Sequence, residues 1–234
     1  MASIDDPWIN APAAASEAEQ SGLRVETIEG VAPLDRQFGI HPKKSVPDAL
    51  HDALFGQPAP TEAEIEAAGG VAAAVPSLQT YAILDAAKVV ILPELLDANR
   101  LEHRCLFKGA AYDELKNVAP WIVRLEEGNH FTRSLFTGPE GINGLWETEP
   151  GFYIRSRATL DELWGHFRKF TRVQNPAGKW YYLRFWDKSV LNAARREGRD
   201  TEFYQKLVND MTIIWHSPES DMPNRFSQLA CEAA

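Results

Sequence analysis

The sequence predicts an α/β fold, with a small mixed sheet and flanking helices preceded by an acidic N-terminal extension that is mostly helical or irregular. Between residues 80 and 215, stretches rich in apolar and aromatic residues alternate with stretches of helical periodicity. The first 76 residues instead contain twelve acids and four bases, which gives −8 of the chain's net charge of −9. We therefore divide the chain into an extension (1–76), an α/β domain (77–216) and a loose C-terminal tail (217–234).

Two short helices are predicted in the extension. Pro47 suits a first helical position, and Leu50 and Leu54 fall on one face of the helix that follows it. Thr61 and Glu64 have the spacing of a capping box, which predicts a second helix beginning there. The first 45 residues are rich in Ala, Pro, Ser and Glu, a composition that does not favour regular structure on its own.

The domain is predicted to alternate strands with helices. Segment 121–125 has apolar residues on both faces, as interior strands do. Thr159 and Glu162 form a second capping box, and apolar residues at helical spacing extend the longest predicted helix over 160–173. Segment 180–186 is aromatic on both faces, which predicts an interior strand or a strand that a partner covers. The predicted strands are 80–84, 103–107, 121–125, 152–155, 180–186 and 212–215, and the predicted helices are 93–99, 112–116, 131–136, 160–173, 187–196 and 201–209.

Composition indicates a cytoplasmic protein that does not enter membranes. No apolar run approaches the roughly 20 residues that a membrane helix needs, and the N-terminus does not resemble a signal peptide. Cys105 and Cys231 are the only cysteines, which is too few for a disulfide framework and typical of reduced thiols.

No catalytic or cofactor-binding pattern stands out in the sequence. It has neither a phosphate-binding glycine loop nor the Gly-x-Ser-x-Gly pattern of a hydrolase nucleophile. His103 and Cys105 share one face of a predicted strand, but two residues do not make a metal site, and a structural histidine beside a buried thiol is the favoured interpretation. We therefore predict no enzyme activity, no cofactor and no metal; a hydrolase that uses scattered His and Asp residues is kept as an alternative.

The centre of the chain is basic and aromatic. Residues 155–188 contain eight bases against three acids, so nucleic-acid binding is a further alternative, which the net charge of −9 disfavours. Within this segment, Arg184 has two interpretations. It can form a structural ion pair with Asp85 or Asp187, or it can bind a carboxylate of a partner protein.

The order of several short motifs is similar to that of one protein family. The motifs are Tyr81-Ala-Ile-Leu-Asp85, Cys105-Leu-Phe107, Ala119-Pro-Trp-Ile-Val-Arg-Leu125, the helix over 160–173 and Tyr182-Leu-Arg-Phe-Trp-Asp-Lys-Ser-Val-Leu191. Together they resemble a former domain-of-unknown-function family that is associated with adaptor chaperones of bacterial type VI secretion.

This resemblance covers about residues 78–216 and implies a function without catalysis. Such an adaptor holds one toxic effector, usually through the N-terminal segment of the effector, and helps to load it onto the spike protein of the secretion machine. The resemblance implies an effector and a spike protein as partners, whereas the net charge and the lack of a long apolar run argue against nucleic acid and membrane. Binding an apolar segment requires an apolar groove with a polar rim. The expected apolar residues are Trp146, Trp180, Tyr182 and Trp186, and the expected rim residues are Arg155, Arg157 and Arg184.

Overall fold

The computed structural model of the chain describes residues 22–35, 43–141, 143–193, 201–218 and 224–231. Most of the irregular part of the predicted extension, residues 1–21 and 36–42, lies outside these ranges. The strands are β1 (Leu23–Ile28), β2 (Gln79–Asp85), β3 (His103–Cys105), β4 (Pro120–Leu125), β5 (Gly151–Ser156), β6 (Arg172–Gln174), β7 (Trp180–Tyr182), β8 (Thr212–His216) and β9 (Phe226–Cys231). The helices are α1 (Asp48–Phe55), α2 (Glu62–Ala67), α3 (Leu92–Ala98), α4 (Ala110–Leu115), α5 (His130–Leu135), α6 (Leu160–Phe167), α7 (Lys188–Ala193) and α8 (Thr201–Val208).

Seven of these strands form one sheet in the order β1-β9-β8-β5-β2-β4-β3. The predicted α/β class with flanking helices is confirmed. The sheet is larger than expected, and each neighbouring pair in it is antiparallel, whereas a mixed sheet was expected. The alternation of side chains along a strand indicates which face is buried, but it does not indicate whether the neighbouring strands run parallel or antiparallel to it.

Both ends of the described chain contribute strands to this sheet. Strand β1, from the acidic extension, pairs along its whole length with β9, whose residues were predicted to be a loose tail. The prediction of a loose tail was wrong for 226–231, because Phe226 and Leu229 are buried against the sheet's two faces. The division into extension, domain and tail stays a prediction, although both outer segments extend the same sheet.

Helices cover the two faces of the sheet and enclose two apolar cores. On the first face, α1, α3 and α5 pack against Leu84, Val123 and Ile214. On the second face, α6, α7 and α8 pack against Ile83, Phe152 and Ile213. Alternate residues of β2 therefore enter opposite cores, which explains why the centre of this strand, residues 81–84, is apolar on both faces. None of the helices in the described ranges has both the length and the apolar character needed to cross a membrane.

Two segments that were predicted to be regular end early. Helix α6 ends at Phe167, and after a short 3-10 turn the chain enters β6 at Arg172, where the sequence predicted helix. The predicted interior strand over 180–186 is also wrong, since β7 ends at Tyr182 and pairs with β6 in a separate two-stranded hairpin. Local periodicity does not show where α6 and β7 end, because contacts beyond each element determine both ends. These contacts are the pairing of β6 with β7 and a turn in which the Asp187 N–H donates to the Arg184 carbonyl.

Both predicted capping boxes are present. Thr159 accepts a hydrogen bond from the backbone of Glu162, whose carboxylate accepts one from the Thr159 backbone, and Thr61 and Glu64 make the same pair of bonds. We expect Thr159→Ala to lower the free energy of unfolding by about 1 kcal/mol, because it removes the cap of a helix with a buried face. Urea denaturation would measure this. Thr61→Ala is the control, and it should cost less because α2 buries no residue; equal losses would contradict this account.

Candidate functional site

The most exposed aromatic surface of the described chain lies on the β6–β7 hairpin. The side chains of Trp180, Tyr181 and Tyr182 are consecutive and are 54%, 46% and 55% exposed. The hairpin reverses at the turn predicted for Asn175–Gly178, where Gly178 has the positive φ of 79° that favours glycine. Monomeric proteins bury most such aromatic area, so three adjacent exposed rings indicate a contact surface.

Cations stack on the aromatic rings of this hairpin. The Arg172 guanidinium lies 5.0 Å from the Trp180 ring centre, and the Lys179 ammonium lies 5.2 Å from that of Tyr181. The Tyr182 ring contacts Phe107 at 5.2 Å, which joins the hairpin to the segment that follows strand β3. The exposed surface therefore combines apolar and positive character and continues from the hairpin towards the edge of the sheet.

A groove of about 580 Å³ lies at that edge. We call it the edge groove, and it is bounded by β3, α4 and α6. Three cations converge on the Trp164 ring within it: Lys108 at 4.2 Å, Arg168 at 4.6 Å and Arg104 at 5.1 Å. The residues that line the groove are His103, Arg104, Cys105, Phe107, Lys108, Gly109, Tyr112, Trp121 and Trp164.

Two backbone carbonyls at this edge explain why Trp164 and Arg168 hold their positions. Pro120 pairs with Leu106 but has no N–H, so the Leu106 carbonyl takes its hydrogen bond from Nε of Arg168 at 3.1 Å. The Cys105 carbonyl accepts a hydrogen bond from Nε1 of Trp164 at 2.7 Å. The floor of the groove is therefore fixed by hydrogen bonds before any ligand arrives.

Cys105 and His103 line the groove, but their environment does not favour covalent chemistry. Burial raises the pKa of the Cys105 thiol to about 11, and the hydrogen bond from the Phe107 N–H only partly opposes this shift. The thiol is therefore protonated near neutral pH and is a weak nucleophile. Nδ1 of His103 lies 2.7 Å from the Leu101 carbonyl. Within the described ranges, no group of three or more His, Cys, Asp or Glu residues is placed to hold a metal.

A second groove, of about 740 Å³, lies between α1 and the β1–β9 end of the sheet. Its charged groups already have partners in the chain. Arg24 forms an ion pair with Glu26, and Glu26 also accepts a hydrogen bond from Gln228. Arg155 donates to the hydroxyl of Thr80 at 2.9 Å and to backbone carbonyls. The edge groove is the better candidate because its cations have fewer partners.

Two of the predicted partner-binding residues lie in the core. Trp146 is buried on the first face of the sheet, where its ring contacts His216 and Phe226. Trp186 is buried on the second face against Phe185. The expectation that both tryptophans line an exposed groove is therefore corrected. Both side chains contribute to the apolar cores of the fold. The sequence alone does not show whether a tryptophan in a loop is buried or exposed.

The three predicted rim arginines hold segments of the chain together. Arg155 is buried and donates a hydrogen bond to the Gly56 carbonyl, in the loop after α1. Arg157 forms an ion pair with Glu64 at 2.7 Å, which attaches the acidic extension to β5. Arg184 forms an ion pair with Asp85, one of the two acidic partners considered for it from the sequence.

Of the seven predicted site residues, three are exposed, namely Trp180, Tyr182 and Arg184, and Arg184 is already paired with Asp85. Sequence reasoning missed the edge groove, since Trp164 is one of the apolar residues at helical spacing that predicted the helix over 160–173. A usable signal was present, because Trp164 and Arg168 are four residues apart and so lie on the same face of a helix. The contributions of Arg104 and Lys108 had no local signal, because tertiary structure brings them to that ring.

Neither a curated protein nor a solved structure matches this chain. One family model does match, over residues 80–203, which is more than half of the chain. The matched region runs from β2 into α8 and includes both the hairpin and the edge groove. The chain therefore belongs to the family described as a domain of unknown function, DUF4123.

Proposed function

We propose that this protein is a cytoplasmic adaptor chaperone of type VI secretion. It binds one toxic effector, through the N-terminal segment of that effector, and promotes its stability and its loading onto the spike protein. Two findings over the same part of the chain support the proposal, namely the resemblance of its motifs to those of adaptor chaperones and the match to the DUF4123 family. The observation that carries it is the exposed aromatic hairpin at Trp180, Tyr181 and Tyr182.

The hairpin has the properties of a protein-binding hot spot. Trp and Tyr are enriched at such spots because they bury a large apolar area while losing little side-chain freedom. Arg172 and Lys179 flank these rings and supply the polar surroundings that exclude water from a contact. A chaperone for one effector needs this combination, because it must cover an apolar segment that would otherwise aggregate.

Co-expression with the effector encoded in the same gene cluster tests this proposal. We expect the wild-type chain to co-elute with the effector in size-exclusion chromatography. The double variant Trp180→Ala with Tyr182→Ala should bind about 10- to 100-fold more weakly, because loss of one hot-spot side chain costs roughly 1–2 kcal/mol or more. Its thermal unfolding should change little, because both side chains are exposed.

The matched control removes exposed apolar side chains elsewhere. Val71 and Val90 are 55% and 82% exposed, and neither belongs to the hairpin or the edge groove. The double variant Val71→Ala with Val90→Ala should bind the effector as the wild type does. Normal binding by the hairpin variant would remove the hairpin from the site, and a folded wild-type chain that binds no effector would reject the adaptor function.

Nucleic-acid binding is a second candidate, because cations and aromatic rings also combine in single-strand binding surfaces. The net charge of −9 opposes it, since most of the chain repels a polyanion. Affinity for single-stranded oligothymidine that falls steeply with salt would favour this candidate over the adaptor.

A further inference from the structure

We infer that the edge groove binds a short acidic stretch of the partner protein, with its carboxylates on Lys108 and Arg168. The inference rests on the proposed function for the identity of the partner. It concerns a different part of the surface from the aromatic hairpin, and the Phe107–Tyr182 contact makes the two continuous. A partner segment would therefore place apolar residues on the hairpin and acidic residues in the groove.

The first argument is an excess of positive charge at the groove. Arg104 and Lys108 line it, and Arg168 stacks on the same Trp164 ring. Only Arg104 has an acidic partner among the described residues, which is Asp161 at 2.8 Å. Two positive charges are therefore left uncompensated on a chain whose net charge is −9. Complementary charge on a partner is the usual counterpart of such a patch.

The second argument is the position of Lys108. Its side chain makes neither a hydrogen bond nor an ion pair with any described residue, and its ammonium lies 4.2 Å from the centre of the Trp164 ring. Stacking on an indole holds a cation in place while leaving its hydrogen-bond donors available. Lys108 is exposed, so a carboxylate reaches it without displacing any part of the fold.

The third argument comes from the hairpin, which continues the positive surface. Arg172 and Lys179 stack on aromatic rings and have no acidic partner within the described ranges. A short acidic segment would meet Lys108 and Arg168 at the groove and, beyond the Phe107–Tyr182 contact, Arg172, which pairs with Tyr182 across the hairpin. A long polyanion would meet them too, but it would also pass over the acidic remainder of the chain.

The edge strand itself favours recognition by side chains. Strand β3 has three residues, and the indole of Trp164 already occupies the carbonyl of Cys105. A partner strand would therefore find few free backbone groups to pair with, so strand addition is disfavoured here. The charged side chains of this groove are therefore the main groups that can recognise an incoming segment.

Fluorescence anisotropy with labelled peptides tests the inference on the full chain. The first probe is a peptide of alternating Glu and Ser, and the second replaces each Glu with Gln. We expect the Glu probe to bind and the Gln probe not to bind. Lys108→Glu should weaken binding of the Glu probe at least about tenfold, since it replaces an attraction with a repulsion. Lys43→Glu makes the same charge change before α1, outside the groove, and should have an effect below about twofold.

The outcomes separate this inference from the proposed function. Equal affinity for the Glu and Gln probes, or no effect of Lys108→Glu on either the Glu probe or the effector, would overturn the acidic site. Tighter binding of oligothymidine than of the Glu probe, lost in Lys108→Glu, would also overturn it by making the groove a nucleic-acid site. An effector that co-elutes with wild type and loses at least about tenfold in affinity on Lys108→Glu supports it. Absence of any effector complex rejects the adaptor function alone.

Discussion

Arg184→Ala is expected to lower the free energy of unfolding by about 2–3 kcal/mol, because it leaves a buried carboxylate without its counter-charge. Asp85 is fully buried at the end of β2, where Arg184 forms its ion pair and the Ala87 N–H donates a hydrogen bond at 3.0 Å. Without Arg184, the Ala87 N–H is the one hydrogen-bond partner that the Asp85 carboxylate keeps among the described residues. This expected loss of stability is smaller than that for a fully buried ion pair, because half of the Arg184 side chain is exposed to solvent.

Urea denaturation followed by tryptophan fluorescence measures this loss. Lys206→Ala is the matched control, because it breaks the ion pair with Glu202 on the surface of α8, and it should lower stability far less than Arg184→Ala does. In the variant that combines Arg184→Ala with Asp85→Asn, much of the lost stability should return, because no buried charge is left unpaired. An Arg184→Ala chain as stable as wild type would show that the pair contributes little.

The second large effect is a dependence of stability on pH that arises from Glu149. Burial alone would raise the pKa of this carboxyl, but hydrogen bonds from His216 and Lys188 outweigh burial and hold its pKa at about 2. Nδ1 of His216 lies 2.6 Å from the Glu149 carboxylate. Because the pKa is lower in the folded chain than the ordinary 4.5, the carboxylate stabilises the fold fully above about pH 4.5. That contribution is lost as the pH falls towards 2.

Glu149→Gln should therefore lower the free energy of unfolding at neutral pH by about 3 kcal/mol at most, the equivalent of a shift from 4.5 to about 2. The difference between wild type and variant should shrink as the pH is lowered from 4.5 towards 2. Urea titrations at a series of pH values measure it. Glu94→Gln, at an exposed position in the first turn of α3, is the control, and its curve should run parallel to that of wild type. A constant difference between Glu149→Gln and wild type would contradict the role given to this carboxylate.

The two predictions concern pairs that join distant parts of the chain. Asp85 and Arg184 lie in the first and last of the short motifs that carry the family resemblance. Their ion pair gives a structural reason for that pairing of motifs, because it attaches the end of β2 to the turn before α7. The Arg184 side chain, expected from the resemblance at the rim of a binding site, is therefore already engaged within the fold.

Short-range patterns in the sequence determined the main elements of this protein. The strands near 80–84, 121–125, 152–155 and 212–215, both capping boxes and the turn at Asn175 are present as predicted. These features depend on residues within a few positions of one another, through side-chain alternation, cap hydrogen bonds and backbone preference. The α/β class followed from their order.

Tertiary structure decided which strands are neighbours and which side chains stay exposed. The pairing of β1 with β9 joins residues about 200 positions apart, so neither strand carries a local sign of its partner. Trp146, Trp180 and Trp186 are the same residue type, yet of these three Trp180 alone is exposed. Exposure depends on what the rest of the chain packs against each ring. Likewise, the edge groove exists because Lys108 and Arg104 meet Trp164 in space, which spacing along the chain does not encode.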